Sequence, residues 1–314
     1  MVGDIGHVAV VGTGVIGASW ASLFLAKGLD VTATDISPGA EARLRAFVDA
    51  AWPTLTELGL APGASTSRLR FVGNLKEAVS DVQIVQESGP ERLDLKKQLY
   101  AELDGILPPE VIIASSTSGL TMSEIQSACE SHPERCVIGH PFNPPHLIPL
   151  VEIVGGKATS QTTIERLDEF YTALGKRTIR VHKEVAGHVG NRLQAALWRE
   201  VLYLISEGVV SVSDADTAVC WGPGLRWGIM GPMLLFHLGG GAGGVEHYFD
   251  QFTEPMTDWF NALGHTEITP ELRQKVTAGV YEEAGTLSVA DLAKRRDEVL
   301  LALLKLRSKG EPNA

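Results

Sequence analysis

The chain has 314 residues, 44% of them hydrophobic and 21% charged, which is enough apolar material for two cores. Acidic residues outnumber basic ones, 38 to 27, and the net charge of -11 repels a nucleic-acid backbone or an anionic membrane, leaving a small molecule as the expected partner. Cys129, Cys136 and Cys220 show no CxxC spacing, so buried free thiols are expected, with neither a disulfide framework nor a metal site.

The first residues show no basic region followed by a long apolar run, and no stretch approaches the roughly 20 apolar residues of a membrane span. A cytoplasmic location is therefore expected. From His7 to about Lys183, short Val- and Ile-rich runs alternate with amphipathic stretches, the pattern of βαβ units around a parallel sheet. Strands are expected at His7–Val11, Asp30–Thr34, Val82–Gln86, Val111–Ser115, Cys136–Gly139, Leu150–Val154 and Arg177–His182. After Gly187 the period becomes helical, with helices expected at Val189–Ser206 and Val289–Leu306. The fold class is therefore α/β, a Rossmann-type doubly wound sheet over residues 1–188 followed by a smaller all-helical domain over 189–314. The run Gly239–Gly244 reads as a loop between helices, and Ser308–Ala314 as a frayed end.

The first strand leads into Gly12-Thr13-Gly14-Val15-Ile16-Gly17 and then a helical pattern, Ala18–Lys27. A GxGxxG in that context is a dinucleotide site: Gly12 for the tight turn, Gly14 for backbone approach to the pyrophosphate, Gly17 for helix packing. Val15 and Ile16 complete the loop, and the pyrophosphate sits on the amides of the helix N-terminus. Asp35 follows at the end of the second strand, about 20 residues after the last glycine, where a carboxylate accepts both ribose hydroxyls. Ile36-Ser37-Pro38 offers no arginine for a 2′-phosphate, so NAD is expected over NADP.

Polar residues stand at the ends of later strands, in Ser115–Gly119, in His140-Pro141-Phe142-Asn143-Pro144-Pro145 and at Glu152. With Gly187-His188-Val189-Gly190-Asn191-Arg192, these motifs resemble the 3-hydroxyacyl-CoA dehydrogenase superfamily over about residues 7–240. The resemblance implies that His140 is the general base and Glu152 the carboxylate orienting it. It makes Ser118 and Asn191 partners of the substrate oxygen and the histidine, with Asn143 beside the substrate. An imidazole with a reference pKa of about 6.5 suits removal of a hydroxyl proton near neutrality. The alternatives are structural: an edge-strand charge for Glu152, a helix cap near Met122 for Ser118, and a backbone hydrogen bond for Asn191. Glu91 and Lys96 match the nicotinamide-side segment, Ser118 adjoins it, and a solvated surface pair is the other reading of Glu91 and Lys96.

No lysine lies between Lys27 and Lys76, which argues against the several phosphates of coenzyme A and for a small hydroxy acid, although Arg43, Arg45, Arg68 and Arg70 lie in that span. The chain is most similar to the subgroup containing L-carnitine dehydrogenases, L-gulonate 3-dehydrogenases and lambda-crystallin, with the carnitine branch nearer. The segments Gln86–Lys96, Ala196-Leu197-Trp198-Arg199-Glu200 and Gly224-Leu225-Arg226-Trp227 carry that likeness. A quaternary ammonium is best held by aromatic faces, so Trp198 and Trp227 are candidate substrate contacts, with Arg199 and Arg226 for a carboxylate. Asn191 and Pro145 look more like the gulonate and crystallin branch. The resemblance thus implies NAD-dependent oxidation of a small 3-hydroxy acid, L-carnitine first. L-gulonate or another 3-hydroxy acid, a 3-hydroxyacyl-CoA, and a non-catalytic crystallin-like NAD-binding role are the alternatives. It also implies a homodimer built through the helical domain, where Met230–Leu238 is interface or core.

Overall fold

The computed structural model describes residues 5–310, with side chains through residue 307. Residues 1–4 and 311–314, part of the expected domains and of the expected frayed end, lie outside the described residues. The described residues divide into two compact units, one comprising residues 5–191 and 300–310, the other 192–299.

In the first unit the order is β1 (His7–Val11), α1 (Val15–Ala26), β2 (Asp30–Thr34), α2 (Ala40–Leu58), β3 (Leu69–Phe71), α3 (Leu75–Ala78), β4 (Ile84–Glu87), α4 (Leu93–Ile106), β5 (Ile112–Ser115) and α5 (Met122–Ile125), followed by β6 (Cys136–Pro141), β7 (Leu150–Gly155), α6 (Gln161–Ala173) and β8 (Arg177–Val181). They form one eight-stranded sheet in the order β3-β2-β1-β4-β5-β6-β7-β8. All neighbours are parallel except β6 and β7. The chain order reverses at β1, which lies between β2 and β4, and the crevice at the C-terminal ends of these strands is where such sheets bind ligands.

Buried Val, Ile and Ala run along β1, β4 and β5 because helices cover both faces of the sheet. On one face, α1 buries nearly its whole length: Trp20 stacks between Phe24 and Tyr171 at centroid distances of 5.3 Å, and the Tyr171 hydroxyl donates to Gln86 Oε1 at 2.6 Å. On the other face, Tyr100, Leu103, Met122 and Ile125 pack against Val85 and Ile113. Cys129 and Cys136 are buried there, their sulfurs 3.6 Å apart, whereas Cys220 is exposed, contrary to the expectation for all three thiols.

The antiparallel step departs from the expected all-parallel sheet. Only Phe142–Pro149 joins β6 to β7, too short for the crossover of a dozen or more residues that a parallel return requires. Glu152 is consequently in an interior strand, since β8 forms the edge, and the edge-strand reading of its charge is corrected.

The second unit contains most of α7 (Gly190–Ser206), then α8 (Val212–Trp221), α9 (Pro223–Trp227), α10 (Pro232–Gly239), α11 (Gly244–Ala262), α12 (Pro270–Ala284) and the first part of α13 (Val289–Gly310). Its core is small, with Leu202, Ile205, Val212, Ala215 and Leu272 buried together. A short 3-10 turn, Gly241–Gly243, interrupts the glycine run between α10 and α11. The end of α13 differs from expectation: the helix continues to Gly310, its residues from Leu300 belong with the first unit, and Lys305 pairs with Glu57 at 2.8 Å. Among the described residues, no helix is long and apolar enough to cross a membrane.

Candidate active site

The glycine loop joins β1 to α1 at the C-terminal end of the sheet. Gly12 has φ 88°, and a Cβ there would lie 2.7 Å from the Ser88 carbonyl, so the turn needs glycine twice over. At Gly17 a Cβ would fall 1.9 Å from the Gly12 carbonyl, which explains how closely the helix begins against the loop. Gly14 faces open space and Val15 is exposed, while Ile16 is half-buried against the core. No side chain caps α1 and its first turn holds no acid, so its N-terminal amides face outward with the positive end of the helix dipole.

Asp35 sits beside this loop. Its Oδ2 accepts from the Thr13 amide at 2.7 Å and the Thr13 hydroxyl at 3.1 Å, and Oδ1 accepts from the Ser37 amide at 2.8 Å. Partial burial opposes the charge, but these hydrogen bonds outweigh it and hold the carboxyl below its ordinary value. An open glycine approach, free helix amides and an ionised carboxylate at the end of β2 fit a dinucleotide carrying unphosphorylated ribose hydroxyls.

The neighbouring strand ends form two networks. Buried Glu87 accepts from Lys96 Nζ at 2.6 and 2.8 Å, the Ser115 hydroxyl at 2.6 Å and the Gly89 amide at 2.6 Å. Lys96 is 2% exposed and is a buried partner of Glu87, so the reading of Glu91 and Lys96 as a solvated surface pair is corrected. Glu91 instead braces the loop after β5, its Oε1 accepting from Thr117 Oγ1 at 2.6 Å and from the amides of Ser118 and Gly119 at 3.0 and 2.9 Å. Ser118 is exposed on that loop. It does not cap the following helix, whose N-terminal cap is Thr121.

The imidazole and carboxylate meet across β6 and β7. The register places His140 directly opposite Glu152, and His140 Nδ1 lies 2.7 Å from Glu152 Oε2. The pair is almost wholly buried, at 4% and 0% exposure. The other carboxylate oxygen accepts from the amides of Val189 and Gly190, both at 2.9 Å. Burial works against the Glu152 charge, yet the hydrogen bonds from His140, Gly190 and Val189 prevail and lower its pKa. With Nδ1–H donated to Glu152, Nε2 of His140 carries the free lone pair of the neutral ring.

Two further side chains come from the first turn of α7 and from the turn before it. Asn191 Nδ2 donates to the Ser118 carbonyl at 3.1 Å, so Ser118 and Asn191 are brought together through the backbone of the first and the side chain of the second. The buried ring of His188, a residue that no functional reading of the sequence singled out, stands 5.1 Å from that of His140. Phe142 packs edge-on to His140 at 5.3 Å, and Gly190 leaves the room that the phenyl ring needs. Asn143 is exposed beyond Phe142, ahead of a cis bond to Pro144. Trp198, Arg199, Arg226 and Trp227 are all exposed residues of the second unit, the tryptophans at 53% and 41%.

Residues 7–185 match the model of the 3-hydroxyacyl-CoA dehydrogenase NAD-binding domain, and residues 187–283 that of the 3-hydroxyacyl-CoA dehydrogenase C-terminal domain. The chain belongs to the 3-hydroxyacyl-CoA dehydrogenase family. Within this family it is 49% identical over 302 residues to an L-carnitine dehydrogenase of Streptomyces coelicolor, covering 96% of this chain and 95% of that protein. It is 48% identical to an L-carnitine dehydrogenase of Pseudomonas putida, with 96% and 94% covered. Among solved structures, 5-formyl-3-hydroxy-2-methylpyridine 4-carboxylic acid 5-dehydrogenase, an NAD+-dependent dismutase, superimposes with a TM-score of 0.83 at 29% identity, covering 97% of this chain and 99% of that one. The chain is thus an NAD-dependent dehydrogenase of the 3-hydroxyacyl-CoA dehydrogenase family.

Proposed function

We propose that this protein oxidises the 3-hydroxyl of L-carnitine to give 3-dehydrocarnitine, with His140 as general base. The observation that carries the reading is near-full-length identity of 45–49% to relatives named L-carnitine dehydrogenase, in a chain that holds an imidazole–carboxylate pair on the same sheet as a dinucleotide loop. NAD, when bound, supplies the hydride acceptor. Gly12, Gly14, Val15, Ile16 and Gly17 receive its pyrophosphate and Asp35 its adenosine ribose, while Glu91 shapes the Thr117–Gly119 loop on the nicotinamide side. Nε2 of His140 takes the hydroxyl proton, and Glu152 fixes the tautomer and stabilises the imidazolium that results. Ser118 and Asn191 hydrogen-bond the substrate oxygen from either side of their shared contact, and Asn143 borders the same space.

Among the described residues, the span between Lys27 and Lys76 holds only arginines already engaged by neighbouring groups, which favours a small acid over an acyl-CoA. Arg45, Arg68 and Arg70 are paired with Glu41, Asp30 and Glu77, and Arg43 donates to the Pro38 carbonyl, so the span without lysine offers no ready phosphate clamp. In the second unit, Trp198 and Trp227 offer exposed indole faces to a trimethylammonium group, and Arg199 and Arg226 suit its carboxylate. Met233, Leu234 and Leu238 of α10 are more than half exposed, an apolar surface suited to a homodimer. Division near residue 188 into a cofactor domain and a helical substrate and dimerisation domain, in a cytoplasmic protein, completes the reading.

The test is NAD reduction by purified protein with L-carnitine, L-gulonate, 3-hydroxybutyrate and, in reverse, acetoacetyl-CoA. Turnover confined to carnitine is expected. Activity only with gulonate or 3-hydroxybutyrate would move the substrate and leave the chemistry, whereas activity only with the thioester would reject the small-acid reading. His140→Gln should retain NADH binding and lose turnover; unchanged turnover would remove His140 from the role of base.

A further inference from the structure

His188 is the only non-glycine residue with positive φ among the described residues, at 50°. A left-handed conformation is uncommon outside glycine and is kept where the surroundings over-determine it, often beside a functional site. The ring is 1% exposed, and its Nε2 lies 3.1 Å from the Thr117 carbonyl, which can only accept. The proton is therefore on Nε2, and Nδ1 presents a bare lone pair that has no hydrogen-bond partner among the described residues. An orphaned nitrogen on a buried side chain calls for an explanation in terms of its neighbours.

Those neighbours are the parts of the proposed site. Thr117 donates its hydroxyl to Glu91, and the Thr117–Gly119 loop carries Ser118. The residues that follow His188, Val189 and Gly190, give both amides to Glu152, and Asn191 reaches back to the Ser118 carbonyl. His188 therefore stands where the loop after β5 meets the turn that steadies Glu152, with its ring tilted 52° against that of His140.

We infer that His188 is a positioning residue for His140, fixing the face of that imidazole and joining the Thr117–Gly119 loop to the Glu152-binding turn, and that it does so as a neutral ring. The inference rests on the proposed role of His140 as base. Three titratable groups face His188: His140 from β6, Glu152 from β7, and Glu91 from the segment before α4. Burial and the neighbouring His140 lower the pKa of His188; the Thr117 carbonyl, Glu152 and Glu91 act the other way and are outweighed. At neutral pH the ring is uncharged and a proton can enter His140 without repulsion. At lower pH a proton on Nδ1 of His188 puts a second positive charge beside the base and opposes its protonation during turnover.

This gives a signature that a merely structural residue lacks. In the unaltered enzyme, two histidines must be neutral, so log kcat/KM falls on the acid side with a slope approaching 2 below both ionisations. In His188→Phe, which keeps a ring of similar shape, the slope is 1 and kcat drops about tenfold, with NADH affinity unchanged. His188→Asn, whose amide tolerates the left-handed backbone and retains a donor, recovers part of kcat but also shows a slope of 1. Histidine-labelled protein without substrate provides a second readout by 15N NMR, in which Nε2 protonation at His188 and a midpoint below that of an ordinary histidine are expected. Retention of kcat and a slope near 2 in both variants would overturn the inference, as would an Nδ1–H tautomer. If His188→Phe does not fold, His188→Asn and the NMR tautomer decide. Loss of the base role by His140 would instead appear as a fully active His140→Gln, so the two failures are distinguishable.

Discussion

Glu152 stands directly opposite His140 across the one antiparallel pair in the sheet, with Oε2 2.7 Å from Nδ1 and Oε1 held by two backbone amides. A cross-strand pair fixes two side chains to within the pleat of the sheet, so the orientation of the imidazole is a property of strand register and not of a loop. Glu152→Gln keeps the shape and removes the charge, allowing the amide to hold the wrong tautomer of His140. We expect kcat to fall on the order of 10²–10⁴-fold with the NADH dissociation constant within about twofold of the original. Steady-state kinetics beside an NADH fluorescence titration check this; a loss confined to NADH binding would contradict it.

At Asp35 the same two measurements should give the reverse pattern. Asp35→Ala removes the carboxylate proposed for the adenosine ribose and leaves the Thr13 amide without its 2.7 Å acceptor. NADH affinity should weaken about tenfold or more, while NADPH, whose phosphate the carboxylate repels, loses little, so the preference between them narrows. An unchanged ratio of the two affinities would separate Asp35 from cofactor choice.

The parts of the fold legible in the sequence are those set by local pattern. The strands at His7–Val11 and Asp30–Thr34, the glycine loop and the helices beginning near Ala18, Val189 and Val289 follow from periodicity and from residues whose backbone needs are specific. β3 was not legible because Leu69–Phe71 is only three residues and pairs as an outer strand. The reversal at β7 was accessible through the short Phe142–Pro149 connection, but periodicity carries no strand direction. Pairing choices between distant side chains lie beyond sequence pattern altogether: nothing local assigns Lys96 to Glu87 instead of a ligand, or brings His188 against His140, because both contacts depend on where strand ends converge.

Trp198 tests the proposed carnitine specificity. If its exposed indole receives the trimethylammonium group, Trp198→Ala raises KM for L-carnitine about 2- to 30-fold, the range expected for loss of one cation–π contact, with kcat little changed. A 3-hydroxy acid without a quaternary nitrogen should be turned over equally well by both forms. Equal losses for both kinds of substrate would assign Trp198 to packing.

Arg135 and Asp104 form a buried pair at 2.9 Å, and Arg135 also donates to the carbonyls of Asp104, Leu107 and Pro108. Burial opposes the Asp104 charge, but donors from Ser131, Arg135 and His132 lower its pKa. A depressed carboxylate stabilises above its unfolded pKa of about 3.9 and ceases to do so as the pH falls through the folded value. Asp104→Ala leaves the guanidinium buried without its counter-ion and should cost about 3–5 kcal/mol at pH 7 in urea denaturation, with the deficit shrinking toward pH 3. A deficit equally large at both pH values would point to packing alone.

Lys176 gives the opposite sign. Its buried ammonium donates to the carbonyls of Pro145 and Ile148 and lies 5.1 Å above the Trp20 ring, steadying the connection that follows His140. Burial, aided by repulsion from Lys27, lowers its pKa to about 7. Between pH 7 and the unfolded value near 10.4, the unfolded chain holds a proton that the folded site resists, so stability from this group rises with pH across that window. Lys176→Met removes the titration and its slope while other alkaline ionisations affect both proteins alike. The unaltered protein should therefore gain on the variant by on the order of 1–4 kcal/mol between pH 7 and 10, read from paired denaturation curves. A constant difference over that range would mean that the two carbonyls and the indole face keep Lys176 charged despite its burial.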